Sequence, residues 1–175
     1  MLLAGLVFAA PMALTAAPGG GLRFELPSSA GPVVGLADVF SCTLDPEAAT
    51  GQLEVQASSL ATGHGPRDQR LLVYALDVAS FPAISFLARR IEGSLHALRA
   101  REGSGALRLA GPLRIRDVTV DALVAGTFQW ESGTLRLRGE HPLVLADFGI
   151  PDPSVVLARV EPALRVYFDL AGSPG

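Results

Sequence analysis

Within Ser59–Phe86 the chain brings His64, Arg67 and Asp68 together in a Gly-rich stretch, SLATGHGPRDQR. Side chains of these types can shuttle protons, hold an anion, or fix a turn. Nucleophilic catalysis of the Ser-His-Asp kind would need an activated serine, and no G-x-S-x-G elbow occurs. Asp147-Phe148-Gly149 is not a kinase signature, because no Gly-rich phosphate loop or H-R-D segment accompanies it. His64, His96 and His141 are too scattered for metal-ligand spacing, so no metal and no cofactor are expected. Cys42 is the single cysteine; it can form no internal disulfide and reads as a small buried hydrophobe. Beside a turn, Asp68 can accept backbone hydrogen bonds and Arg67 can bridge to a neighbouring loop, so the pair reads as structural. The chemistry on offer is not that of an enzyme.

The elements that hold these residues are strands. Gly51–Ser58 puts Leu53, Val55 and Ala57 on one face, against Gln52, Glu54, Gln56 and Ser58. Ala106–Arg116 alternates Leu107 and Leu109 with Arg108, then Leu113 and Ile115 with Arg114 and Arg116. Thr134–Arg138 sets Leu135 and Leu137 against Arg136 and Arg138, and Ala163–Leu170 sets Leu164, Val166, Phe168 and Leu170 against Arg165, Tyr167 and Asp169. Such alternation marks half-buried strands whose arginines face water. Breakers at Asp45-Pro46, Thr62-Gly63, Gly93, Gly103-Ser104-Gly105, Gly133 and Gly149 through Pro153 separate the runs. Many short strands so spaced predict an antiparallel sandwich or barrel, with closure removing exposed edges. Arg70–Ser80 is the exception: Leu72, Ala75, Leu76 and Ala79 recur at helical steps until Phe81-Pro82 forces extended backbone.

With 175 residues the chain fits one domain. All 14 basic residues are arginine, the net charge is −3 and the pI is about 5.6, which argues against a nucleic-acid partner. Leu2–Ala17 is an apolar run ending in small residues and Pro18-Gly19-Gly20-Gly21. It reads as a signal peptide over residues 1–17, cleaved around 16–20, which predicts a periplasmic or secreted protein with no transmembrane anchor in the mature form. The mature domain is then expected over residues 22–171.

Taken as a set, several motifs resemble the YceI-like family of lipid-binding barrel proteins. They are Ser59, Thr62-Gly63, Arg67-Asp68, Leu71, Leu76-Asp77-Val78 and Phe81-Pro82, followed by Ile84 and Phe86. Gly111–Thr119 is similar to the family's G-x-L-T-I-x-G-V-T strand pair, Asp147–Ile150 to its late DFGI segment, and Val160–Leu170 to its closing strand. The likeness runs in order from Phe24 to Leu170. Arg70 stands where the family usually has His, Asp117 where it has Gly, and its early Asp-x-x-His region is shortened around Gly21–Gly31. The resemblance implies an all-β, eight-stranded antiparallel up-and-down barrel of extended lipocalin type with one short helix. It also implies an apolar cavity for a polyisoprenoid or similar amphiphile, and export to the periplasm.

A lipid-carrying cavity needs apolar lining with a few polar groups at its mouth. The residues expected to line it are Phe24, Phe40, Phe81, Ile84, Phe86, Phe128, Trp130, Phe148, Val166 and Phe168. The competing reading is a filled core, since small barrels are often packed solid, in a structural or interaction module that binds no lipid. Trp130 and Tyr167 need partners for their N–H and O–H groups, which suits a rim. Homodimer formation is a further expectation.

Overall fold

The computed structural model describes residues 10–154 and 159–175. Eleven strand segments carry the chain: β1 (Met12–Leu26), β2 (Val33–Ala37), β3 (Phe40–Asp45), β4 (Thr50–Gln56), β5 (Leu60–Ala61), β6 (Ala83–Ala88), β7 (Arg90–Gly93), β8 (Ser104–Ile115), β9 (Val118–Glu131), β10 (Thr134–Val144) and β11 (Ala163–Gly172). Three pairs are single staves interrupted once: β2/β3 at Asp38-Val39, β4/β5 by a 3₁₀ turn at Ala57–Ser59, and β6/β7 at Arg89. The sheet is antiparallel throughout and closes where β1 meets β11, Phe24 opposite Val166 and Thr15 opposite Ala171, giving the eight-stranded barrel. Among the described residues, closure pairs the outer edges of β1 and β11 with each other. Tight turns suit their residues: between β9 and β10, Ser132 and Gly133 both take positive φ, 49° and 78°, as a two-residue hairpin of matching twist requires.

One end is filled. Helix α2 (Leu95–Ala100), a turn beyond the short helix foreseen, lies across it with Leu98 wholly buried, alongside Met12, Leu14, Leu44, Leu107, Leu135 and Trp130. Arg99 ties this cap to the β3–β4 turn, donating from Nε to the Pro46 carbonyl (2.9 Å) and from Nη2 to the Glu47 carbonyl (3.1 Å).

The other end is the mouth, where a smaller cluster of Leu76, Ile115, Leu143, Phe148 and Ile150 gathers. Over it lies α1 (Gly65–Gln69), which starts before the predicted 70–80 span and continues as a π-helical turn over Arg70–Ala75. The His64 ring caps α1, with Nδ1 accepting from the Arg67 backbone N–H. Past the π-turn, the Leu76 N–H donates to the Leu71 carbonyl (2.9 Å). Leu71, Ala75 and Val78 face the barrel, while Val73 and Tyr74 face solvent.

Part of the expected leader is built into the sheet. Residues 1–9 of the expected leader lie outside the described residues, but Met12–Ala17 forms the first half of β1. Met12 pairs with Leu44 and Leu14 with Cys42, while Thr15 and Ala16 pair with β11. Met12, Leu14 and Ala17 keep only 3%, 2% and 3% of their surface exposed. A cut at 16–20 would strip half a stave and expose the edges of β3 and β11. In this structure the first described strand thus starts at Met12, inside the expected leader, and the last ends at Gly172.

Candidate functional site

The outer wall fixes which side chains point inward. Arg136 grips Asp169 with both arms, Nε to Oδ1 and Nη2 to Oδ2 at 2.7 Å each, and Arg138 Nε adds a contact at 3.2 Å. These contacts hold the Asp169 carboxyl below its ordinary pKa, chiefly through the Arg136 hydrogen bond. Arg165 pairs with Glu140 at 2.6 Å, and the Arg23 guanidinium stacks 4.5 Å from the Tyr167 ring centre. Surface pairs of this kind add little stability. Their value here is orientation: with the charged set outside, the alternate residues of β9, β10 and β11 face the lumen.

Facing inward does not mean being packed. In the α2 half the inward residues are buried on all sides. Beyond them, Phe24, Phe40, Leu53, Ile84, Phe86, Leu113, Val120, Val124, Leu164, Val166 and Phe168 face the same lumen yet are only half-buried; Phe40, Leu53, Phe86, Val124 and Phe168 pack against the α2-end core, Leu113, Val120, Leu164 and Val166 against the mouth cluster, and Ile84 against both. Their unspent surface marks a chamber that is not filled to interior density. Two rings keep that space open by lying on the wall. A Cβ at Gly35 would come within 2.1 Å of the Phe24 ring, and one at Gly139 within 2.3 Å of the Phe168 ring. Each aromatic therefore lies flat across a glycine of the neighbouring strand instead of standing into the lumen. Two surface concavities lie elsewhere: a crevice of about 20 Å³ beside α2, bordered by Met12, Leu98 and Trp130, and an outer groove between Ser104, Thr127 and Arg136.

The expected lining residues divide between regions. Phe24, Phe40, Ile84, Phe86, Val166 and Phe168 all face the lumen half-buried. Phe128 and Trp130 belong to the filled end. The Trp130 Nε1 has no partner among the described residues and borders the α2 crevice, while the Tyr167 ring lies outside under Arg23. Phe148 sits in the mouth cluster, and Phe81 lies under the Arg116 guanidinium at 5.9 Å. Asp68 is structural: its Oδ1 accepts from both the Thr62 backbone and hydroxyl, which depresses its pKa.

Two polar groups share the chamber side of the wall. Cys42 lies between Leu14 and Leu53, and burial pushes its thiol up to about 11. His141 is the residue sequence reasoning missed; extending the Leu135–Leu137 alternation along β10 reaches Gly139, then His141. Among the described residues no cluster of His, Cys, Asp and Glu could hold a metal ion, and no helix is long and apolar enough to cross a membrane.

The model of the YceI-like domain matches residues 23–171. The chain belongs to the YceI-like family. Solved structures share its fold. Burkholderia cenocepacia BcnA is 18% identical, with a TM-score of 0.70 over 86% of this chain and 95% of that one. A polyisoprenoid binding domain from Saccharophagus degradans, implicated in plant cell wall breakdown, is 15% identical with a TM-score of 0.76 over 95% of this chain and 100% of that one. The UPF0312 proteins of Pseudomonas savastanoi and Pseudomonas syringae are 28% identical over 115 residues, 62% of this chain. The match spans 56% of those relatives' own length.

Proposed function

We propose that this protein binds an isoprenoid or similar amphiphilic lipid non-covalently in the mouth-side chamber, as a carrier or store and not as a catalyst. The observation that carries the reading is the ring of inward, half-buried apolar side chains contributed by strands all around the barrel. Each CH₂ such a wall takes from water contributes about 0.8 kcal/mol, so a branched hydrocarbon tail needs no ionic anchor. Membership of the YceI-like family and the polyisoprenoid-binding domain among its structural neighbours support the same ligand class. Entry would require the mouth cluster under α1 and the π-turn to part. The filled α2 half favours a solid structural module as the competing reading.

Purified protein, taken from its native host or reconstituted with isoprenoids, is expected to release a stoichiometric lipid on organic extraction and to carry its mass in native mass spectrometry. Persistent emptiness under both conditions would sink the carrier reading. We further place the protein in the periplasm or outside the cell, on the strength of its apolar N-terminus. N-terminal sequencing of the exported protein tests where processing falls relative to β1.

A further inference from the structure

Two guanidinium groups border the apolar cluster at the mouth. Arg67 stands on α1 four residues before Leu71, so it shares the face that packs onto that cluster. Arg116 occupies the two-residue turn between β8 and β9, whose flanking residues Ile115 and Val118 both pack in the cluster. Its guanidinium lies 5.9 Å from the Phe81 ring centre, and its Nη1 donates to the Gly149 carbonyl (3.3 Å), between Phe148 and Ile150. The side chain thus crosses the rim from the Phe81-Pro82 entry of β6 to the end of the 3₁₀ turn Leu145–Phe148.

Both side chains bury Nε with no partner among the described residues, and neither joins an ion pair there. The carboxylates beside them are placed otherwise: Asp68 accepts from Thr62, while Asp117 and Asp147 are exposed. The outer wall shows what such a group takes when it is matched. Arg136 presents its Nε–Nη2 edge to the two oxygens of Asp169. With Nη1 of Arg116 turned to Gly149, the same edge is the one left to it. A buried donor on a charged group costs more to leave unmatched than a neutral one. The closed mouth carries two of them. An oxyanion arriving as the cluster parts would match them through paired, charge-assisted bonds, whereas a hydroxyl brings no charge and a hydrocarbon terminus no acceptor.

We propose that Arg67 and Arg116 form an anion clamp at the mouth, holding the carboxylate or phosphate head group of the bound amphiphile and selecting it over the same chain with a neutral head. The inference deepens the lipid-binding reading above and rests on it. Buried CH₂ groups of the tail supply most of the affinity, and the clamp supplies the choice of head group. It also gives the ligand a direction. The head stays at the rim, and the tail runs inward past Leu113 and Phe86, neighbours across β8 and β6.

Geranylgeranoic acid, geranylgeranyl phosphate, geranylgeraniol and the parent C20 hydrocarbon should be titrated into wild type, Arg67→Gln, Arg116→Gln and the double variant. Native mass spectrometry and calorimetry would give the affinities. Wild type is expected to bind at least one of the two anions about tenfold tighter than the alcohol, or more. Each single variant should lose about tenfold for that anion, and the double variant should hold it within about threefold of the alcohol. Hydrocarbon affinity should stay within about twofold throughout. Arg116→Lys, which keeps the charge and loses the fork, should restore only part of the preference. Arg165→Gln removes a charge from the outer wall and should leave the preference intact, which separates the clamp from the overall field. The Nε–H NMR resonances of Arg67 and Arg116 should move with the anion and stay in place with the hydrocarbon. Equal affinity for anion and alcohol in wild type overturns the clamp, as does a preference that survives in the double variant or falls as far in Arg165→Gln. Those results would leave the carrier reading standing. Failure of every isoprenoid to bind wild type would overturn that reading itself, and this inference with it.

Discussion

Leu135 and Leu113 face the same lumen from the two halves of one barrel, and their surroundings differ. Leu135 is fully buried among Met12, Leu14, Leu98 and Trp130, capped by α2; Leu113 keeps surface to lose beneath the mouth. The alternation of residue types is the same at both ends. Glycines at 35, 105 and 139 let the Phe24, Phe128 and Phe168 rings lie close against the wall in both halves; what sets the α2 end apart is the leucine plug it receives from outside the sheet. Periodic sequence builds the barrel, and a few residues outside the period, Leu98 above all, decide which half is capped.

The largest test of this contrast removes residues 1–17. The filled end would lose Met12, Leu14 and Ala17 along with the pairing of β1 to β3. At about 1.5–3 kcal/mol for each large side chain, the melting temperature should drop by more than about 10 °C, or the cooperative transition should vanish. A truncated chain that melts like the full one would return those residues to the role of a leader. Next in size, Leu135→Ala should cost about 3–4 kcal/mol in urea unfolding and Leu113→Ala less than about half of that, because the second site has less packing to lose. Equal costs would mean the chamber is as full as the α2 end.

Sequence reading reached the barrel, its staves and the structural use of Asp68 because alternation and turn chemistry are local signals. It missed the strand in Met12–Ala17 for a physical reason: a leader and a barrel stave bury the same residue types. The alternation of Met12 and Leu14 with Ala13 and Thr15 is masked where nearly every neighbour is apolar. It missed α2 because Leu95 and Leu98 make only one helical repeat in six residues. It could not tell the buried Phe128 and Trp130 from the half-buried Phe86 and Phe168, since all four face inward and pack on the same core, and only three-dimensional packing sets how deeply each is covered.

Smaller effects sharpen the comparison at single atoms. Gly139→Ala would set a Cβ 2.3 Å from the Ala125 carbonyl and the Phe168 ring, forcing that ring into the chamber. It should destabilise by about 1–3 kcal/mol and weaken lipid uptake; unchanged uptake would show that the ring's position on the wall does not matter. The smallest effect is one of pH. The folded His141 pKa lies below the ordinary 6.5, so the native state takes up its proton later than the unfolded chain as pH falls. The stability tied to neutral His141 is therefore present above pH 6.5 and lost on acidification through that range. The stability gap between His141→Leu and wild type should widen below 6.5, and a gap independent of pH would remove His141 from the buried wall.

The meeting of β1 with β11 joins the first described strand to the last. On the ribosome, β1 must wait for Ala163–Gly172 to emerge before its second edge is paired, so the cylinder cannot close before that strand is made. Such long-range closure is slow and leaves apolar strands open for much of the chain's early life. During that interval the nascent protein is a curved open sheet, already able to meet a lipid or a chaperone from the side.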